Sequence, residues 1–279
     1  MLNWRFCVLC LYLFPCFGQI LPKDSKHVID FAFMGGSFFT GSVQAEKDVI
    51  SKALFSMFKA AGDKKTSFTL ENFFDDHELF VRMKNKQVFV AGVSHIFFET
   101  YEKDLNLVPL VTPIIDGKKR QHFLIFVKAG HSAIRDAKDL EGKTIATPMY
   151  VTQRFYEITQ SEVMPSNVVL EQMPEAKSVI MATLYGKTDG GILPEFFFNR
   201  FIKMKPYLKR KLLVLGKSKS LVQPPIVCSR DMVSEEKIEE LINLFFDSLK
   251  NPDVKAHMSL LNVTGFSRVK AVDITRSQK

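Results

Sequence analysis

Apolar positions along the chain follow two periods, and the change from one to the other marks out successive elements. Residues 28–33 form a nearly continuous apolar run, the pattern of a strand covered on both faces. After a loop over 34–42, Val49, Ile50, Ala53, Leu54, Met57, Phe58 and Ala61 recur at helical spacing as far as Gly62, which predicts a helix with one face on a sheet. A strand near 67–70, a helix over 75–84 and a strand over 88–91 follow. The apolar run 107–115 stops at Asp116-Gly117, a turn pair, and a second run over 123–127 predicts a strand, a turn and a strand. Gly130 breaks that pattern. A helical segment over 133–140 then ends at Gly142, before a strand over 143–146, and Pro148 allows only the first turn of a following helix.

The same alternation continues: helix 152–162, strand 168–172, helix 176–185, strand 189–193, strand 226–229 and helix 234–250. The last of these has Ser234 placed to cap it and Glu235 and Glu236 in its first turn. Ile238, Leu241, Ile242, Phe245 and Leu249 fall on its apolar face. Strands alternating with helices predict an α/β fold. There is no internal repeat and no low-complexity linker.

Several segments resemble, in order and spacing, the solute-binding proteins of bacterial ABC importers, closest to the phosphate, phosphite and phosphonate branch. They are IDFAFMGGSFFTGSVQAEKDVISKALFSMF, NKQVFVAGVSHIFFETY, FLIFVKAGHSAIRDAKDLEGKTIAT, LYGKTDGGILPEFF and VQPPIVCSRDM, and the similarity of layout runs from about residue 28 to about 266. The resemblance implies an α/β, two-lobed type 2 periplasmic-binding fold, each lobe a mixed sheet flanked by helices, joined by a two-strand hinge. The expected limits are 19–127 plus 216–279 for lobe 1 and 128–215 for lobe 2. It also implies capture of a small, anionic solute between the lobes, a phosphonate, a phosphate-like ion or another organic solute, with no catalysis and no cofactor. The partner would be an ABC permease or, with the same fold used for sensing, a membrane signalling protein.

The N-terminus agrees from its own chemistry. One charge, Arg5, precedes the apolar core FCVLCLYLF, then come Pro15 and the small residue Gly18, the build of a secretory signal peptide cleaved after residue 18. The core is too short to span a bilayer. Cys16 offers lipidation as an alternative, against which Leu13, Phe14 and Pro15 are poor matches to the small residues expected before a lipidated cysteine. Export would leave Cys228 as the single cysteine, flanked by Ile226 and Val227 as a core thiol, with no internal disulfide.

Without the expected leader, a chain of about 260 residues exceeds one compact core, and 26 phenylalanines in the full sequence supply ample apolar volume. The net charge of +8 becomes +7 without Arg5. A basic surface favours anionic ligands or acidic envelope components, and is equally compatible with solvated lysine, as in the cluster Lys203, Lys205, Lys209, Arg210 and Lys211. No nucleic-acid reader motif is present.

Loops at the carboxyl ends of strands are where such sheets take ligands. Gly36, Ser37 and Phe38 offer close backbone approach, a hydroxyl and a ring; a plain tight turn is the competing reading. Ser94 and His95 follow the strand at 88–91, His95 either meeting an anion or packing against Phe97 and Phe98. The loop from Thr147 to Arg154 bears on ligand class. Phosphonate-binding members of the family it resembles carry a serine- and threonine-rich run there, whereas this chain has Tyr150, Val151 and Thr152, keeping one aliphatic hydroxyl and gaining a phenol. A desolvated oxyanion needs many donors. Arg154 would restore one if it faces inward. Glu195 in the fourth loop suits an ammonium group or a helix N-terminus.

Phe39, Phe155, Tyr156 and Phe196 would make the cleft aromatic, unless they are core. The chain has no GxSxG, HExxH, CxxC or P-loop, and its six histidines are too scattered for a metal site. Asn262-Val263-Thr264 matches an N-glycosylation sequon by chance or by use.

Overall fold

The computed structural model describes residues 28–34, 43–61, 67–130, 133–149, 151, 152, 156, 165 and 167–275. Lobe 1 is built on a six-stranded sheet with strands in the order β13-β4-β12-β3-β1-β2. These strands are β1 (Val28–Met34), β2 (Ser67–Phe73), β3 (Val90–Gly92), β4 (Leu107–Ile115), β12 (Ile226–Ser229) and β13 (Val263–Ser267). β1 runs parallel to β2 and β3, whereas β12 is antiparallel to both β3 and β4. The sheet is mixed because the chain leaves it after β4 and returns in β12.

Alternation along β1 shows why both faces are covered. Phe31 and Phe33 point into one core with Leu54, Met57 and Phe58 of α1 (Val43–Ala60) and Ile238, Leu241, Ile242 and Phe245 of α6 (Glu235–Ser248). Ala32 and Met34 point into the other, with Leu79 and Met83 of α2 (Asp76–Lys84) and Phe97 and Phe98 of α3 (His95–Tyr101). The predicted cap of α6 is present: Ser234 Oγ accepts from Lys237 N.

Lobe 2 holds a five-stranded sheet, order β10-β6-β9-β7-β8, formed by β6 (Phe123–Lys128), β7 (Thr144–Pro148), β8 (Val169–Met173), β9 (Gly190–Pro194) and β10 (Leu212–Lys217). Phe123, Ile125 and Val127 of β6 face one core and Leu124 and Phe126 the other, the latter shared with α4 (Ala176–Leu184) and α5 (Glu195–Met204). Packing there is tight enough to demand a glycine. A Cβ on Gly191 would lie 2.6 Å from Thr183 Oγ1 and 2.7 Å from Phe126 Cζ.

Two short strands, β5 (Arg120–Gln121) and β11 (Leu221–Val222), pair antiparallel and carry the chain between the sheets. The expected lobe limits at 127/128 and 215/216 fall inside β6 and β10, whole strands of the second sheet. Before the crossing, Asp116 (φ 48°) and Gly117 (φ 74°) form the anticipated turn. The segment 133–140 is not an α-helix. It is a single 3-10 turn, Ala137–Leu140, held by a reciprocal cap in which Asp136 accepts from Lys138 N and Asp139 from Asp136 N. The helix expected over 152–162 lies largely outside the described residues; Tyr156, which is helical, donates its N–H to Thr152 O. Among the described residues two further helices follow, α7 (Pro252–Leu260) and α8 (Ala271–Thr275).

Candidate functional site

Strand register decides where a ligand-binding cleft can lie. Ile226, the first residue of β12, stands opposite Gly92, the last of β3, so the crossing strands join lobe 1 at the end where β1 and β3 finish. Phe123, the first residue of β6, stands opposite Pro194, the last of β9, and β7 runs parallel to β9. The carboxyl ends of β1 and β3 therefore meet those of β7 and β9 across the hinge. Loops at such ends open helices whose first N–H groups lack intrahelical partners.

On the lobe 1 side, Ser94 caps α3: its Oγ accepts from Phe97 N at 3.0 Å. His95 is buried, and its Nε2 donates to Val222 O of β11 at 2.8 Å. Burial, assisted by the charge of Arg120, pushes the His95 pKa from 6.5 down to about 4, although the bond to Val222 opposes the shift. The imidazole is therefore neutral at physiological pH and ties the start of α3 to β11. Its neighbour Ile96 packs into the lobe 2 core with Phe123 and Leu221.

On the lobe 2 side, Thr147 is fully buried and its hydroxyl donates to Pro148 O (2.8 Å) and Val151 O (3.1 Å), fixing Val151 against the end of β7. Met149 N donates to Met173 O, and Gln172 Nε2 donates to Met149 O at 2.9 Å, so β8 pins the same loop. Thr152 is half-buried, and its carbonyl accepts from Tyr156 N. Tyr156 is core, its hydroxyl donating to Pro165 O. Gly36, Ser37, Phe38, Tyr150 and Arg154, with Phe39 and Phe155, lie outside the described residues. The structure thus brings Ser94 and His95 to one side of the crossing and Thr147 and Thr152 to the other.

Glu195 sits in the first turn of α5 and pairs with Lys118 of lobe 1 at 3.6 Å, while its N–H donates to His122 O. An inter-lobe ion pair is something sequence spacing could not reveal, since the partners are far apart in the chain. Nearby, Asp116, Lys118 and Asn262 face Phe196, Arg200 and Lys203 across a groove of about 710 Å³ between the lobes. Asn262 Nδ2 is buried against this groove, so the sequon does not present its amide to solvent. Cys228 is a free, buried thiol whose pKa burial pushes up to about 12, the inert core cysteine that its neighbours predict. Among the described residues no cluster of potential metal ligands occurs, and no helix is long and apolar enough to cross a membrane.

Comparison with known proteins matches this geometry. Residues 63–274 match the family described as ABC transporter, phosphonate, periplasmic substrate-binding protein. A binding protein component of an ABC phosphonate transporter from Pseudomonas aeruginosa superposes with a TM-score of 0.70 at 15% identity, over 90% of this chain and 84% of its own. A Prochlorococcus marinus protein in complex with methylphosphonate gives 0.69 at 12% identity, over 90% and 96%. A chloride-bound protein of Xanthomonas citri gives 0.68 at 13% identity, over 91% and 99%. At such identities the structures speak for the fold alone. No curated protein matches the sequence. With three quarters of its length matched, the chain belongs to the family of periplasmic substrate-binding proteins of phosphonate ABC transporters.

Proposed function

We propose that this protein captures a small oxyanion between its lobes outside the cytoplasm and delivers it to an ABC permease, without chemical conversion. The observation that carries this reading is family membership over residues 63–274, joined to a strand register that sets the carboxyl ends of β1 and β3 against those of β7 and β9. Export by the leader at residues 1–18 belongs to the same proposal, and we place the crossings between lobes at β5 and β11.

The ligand contacts assigned here are the loop Gly36-Ser37-Phe38 from lobe 1 and Tyr150, Thr152 and Arg154 from lobe 2. Ser94 and His95 fix the start of α3, and Thr147 fixes the chain leading to Thr152, through the bonds just described. A ligand touching both lobes stabilises the closed form, and a switch from mostly open to mostly closed needs about 5 kcal/mol of differential affinity. Methylphosphonate is bound by the Prochlorococcus protein; the exchange of a hydroxyl-rich run for Tyr150-Val151-Thr152 supports an organic anion whose apolar part meets the ring.

A thermal-shift screen against phosphate, phosphite, alkylphosphonates, alkylsulfonates and amino acids tests the reading. Stabilisation of about 2.7 kcal/mol is expected at a hundredfold excess over Kd. Stabilisation by amino acids and by none of the anions would contradict it.

A further inference from the structure

Between Glu195 and Asp231 the chain carries nine lysines and arginines and no aspartate or glutamate. Five of those cations, Lys203, Lys205, Lys209, Arg210 and Lys211, fall within nine residues, and among the described residues none of the five makes an ion pair. The sequence alone reads them as a cluster of solvated side chains. The structure wraps them around a corner: the last turn of α5, a 3-10 turn (Pro206–Arg210) and the start of β10, the outermost strand of the lobe 2 sheet.

Apolar side chains are exposed on this same corner. Met204 (67% exposed), Tyr207 (54%), Leu213 (45%) and Val214 (42%) are four of the eleven large hydrophobic residues exposed among the described residues. Leu208, buried in the lobe core, anchors the 3-10 turn and leaves its neighbours outward. Lys205 lies over the Phe201 ring at 5.5 Å and Lys211 over Tyr207 at 5.6 Å, so two of the cations rest on aromatic faces beside the exposed apolar groups.

We propose that this corner of lobe 2, residues 203–214, is a docking surface for an anionic lipid membrane. Charge alone would suit any polyanion. Cations interleaved with exposed Met, Tyr, Leu and Val suit a boundary with phosphates at one level and hydrocarbon just beneath, where long basic side chains lie along the interface and apolar ones insert. A second copy of the chain is a poor occupant for the open edge of β10, because strand pairing there would bring two unpaired basic clusters together. For an exported binding protein, adsorption at the membrane would concentrate the loaded form where a permease resides. The proposal does not depend on which solute is bound.

Co-sedimentation of the full exported chain with vesicles tests it, using phosphatidylcholine alone and phosphatidylcholine mixed with phosphatidylglycerol. Binding should be confined to the anionic vesicles and weaken as salt is raised. Replacing Lys209, Arg210 and Lys211 together by glutamine should lower partitioning about a hundredfold, roughly fivefold per charge. Tyr207→Ser with Leu213→Thr should lower it further by removing the inserted groups. These side chains are exposed, so unchanged melting temperatures and solute binding identify folded variants. Equal binding to both vesicle types, no binding to either, or unchanged partitioning of the folded triple variant would each overturn the proposal.

Discussion

His95 offers a quantitative test of the hinge geometry, because its ring is buried at the start of α3 and donates to Val222 O in the strand that crosses between lobes. Its folded pKa is depressed to about 4 from 6.5. As pH falls through 6.5 the unfolded chain takes up a proton that the folded chain refuses, so stability is lost between pH 6.5 and 4 and is constant below that window as far as this group is concerned. Between pH 7.5 and 4.5 the two pKa values give a loss of about 2.5 kcal/mol from this one side chain. The perturbation is His95→Gln, which keeps an N–H donor and removes the titration. Urea denaturation of both proteins at the two pH values is the assay. The wild type should lose about 2.5 kcal/mol more than the variant over that interval. Equal losses in the two proteins would refute the burial and the neutral tautomer assigned to His95.

Other side chains give independent tests. Gly191→Ala should destabilise by about 1 to 3 kcal/mol, since its Cβ would overlap Thr183 and Phe126; a melting temperature within 1 °C of wild type, where roughly 2 to 4 °C per kcal/mol is expected, would contradict the packing. Ser94→Ala removes the cap of α3 and should cost about 1 kcal/mol, with Ser94→Asp restoring it, as measured by chemical denaturation. Cys228, buried with its pKa raised to about 12, should resist Ellman's reagent in the folded protein and react once in denaturant; rapid reaction of the native protein would be inconsistent with its placement.

Much of the fold is legible in the sequence because strands buried on both faces read as apolar runs, and α1 and α6 repeat every three to four residues. α3 escapes that logic: His95, Ile96, Phe97 and Phe98 are buried in succession, so no polar face marks it as a helix. The 3-10 turn at Ala137–Leu140 carries helix-forming residues, yet it stops after four, where Glu141 leaves helical geometry (ψ 125°) ahead of Gly142 (φ 71°). The sequence shows no break where the chain changes sheet, because β6 and β10 read as ordinary apolar strands; β5, just before His122, and β11, shortly after Ser218, are only two residues long each and leave no pattern.

At the site, loop chemistry is visible in Ser94 and Thr147, but their bonding is not. The Ser94 and Thr147 hydroxyls serve a helix cap and a turn, and only tertiary contacts such as His95 with Val222 or Lys118 with Glu195 show what the hinge is made of.

Capture of an oxyanion by both lobes is tested most directly by calorimetric titration of the exported chain and its Thr152→Ala variant with methylphosphonate, inorganic phosphate and methylsulfonate. One of the three should bind the wild type with 1:1 stoichiometry, and the variant should bind it about fivefold to a hundredfold more weakly, the loss of one desolvated hydrogen bond. Silence with all three anions, or identical isotherms for wild type and variant, would contradict an oxyanion site at the Thr147–Arg154 loop.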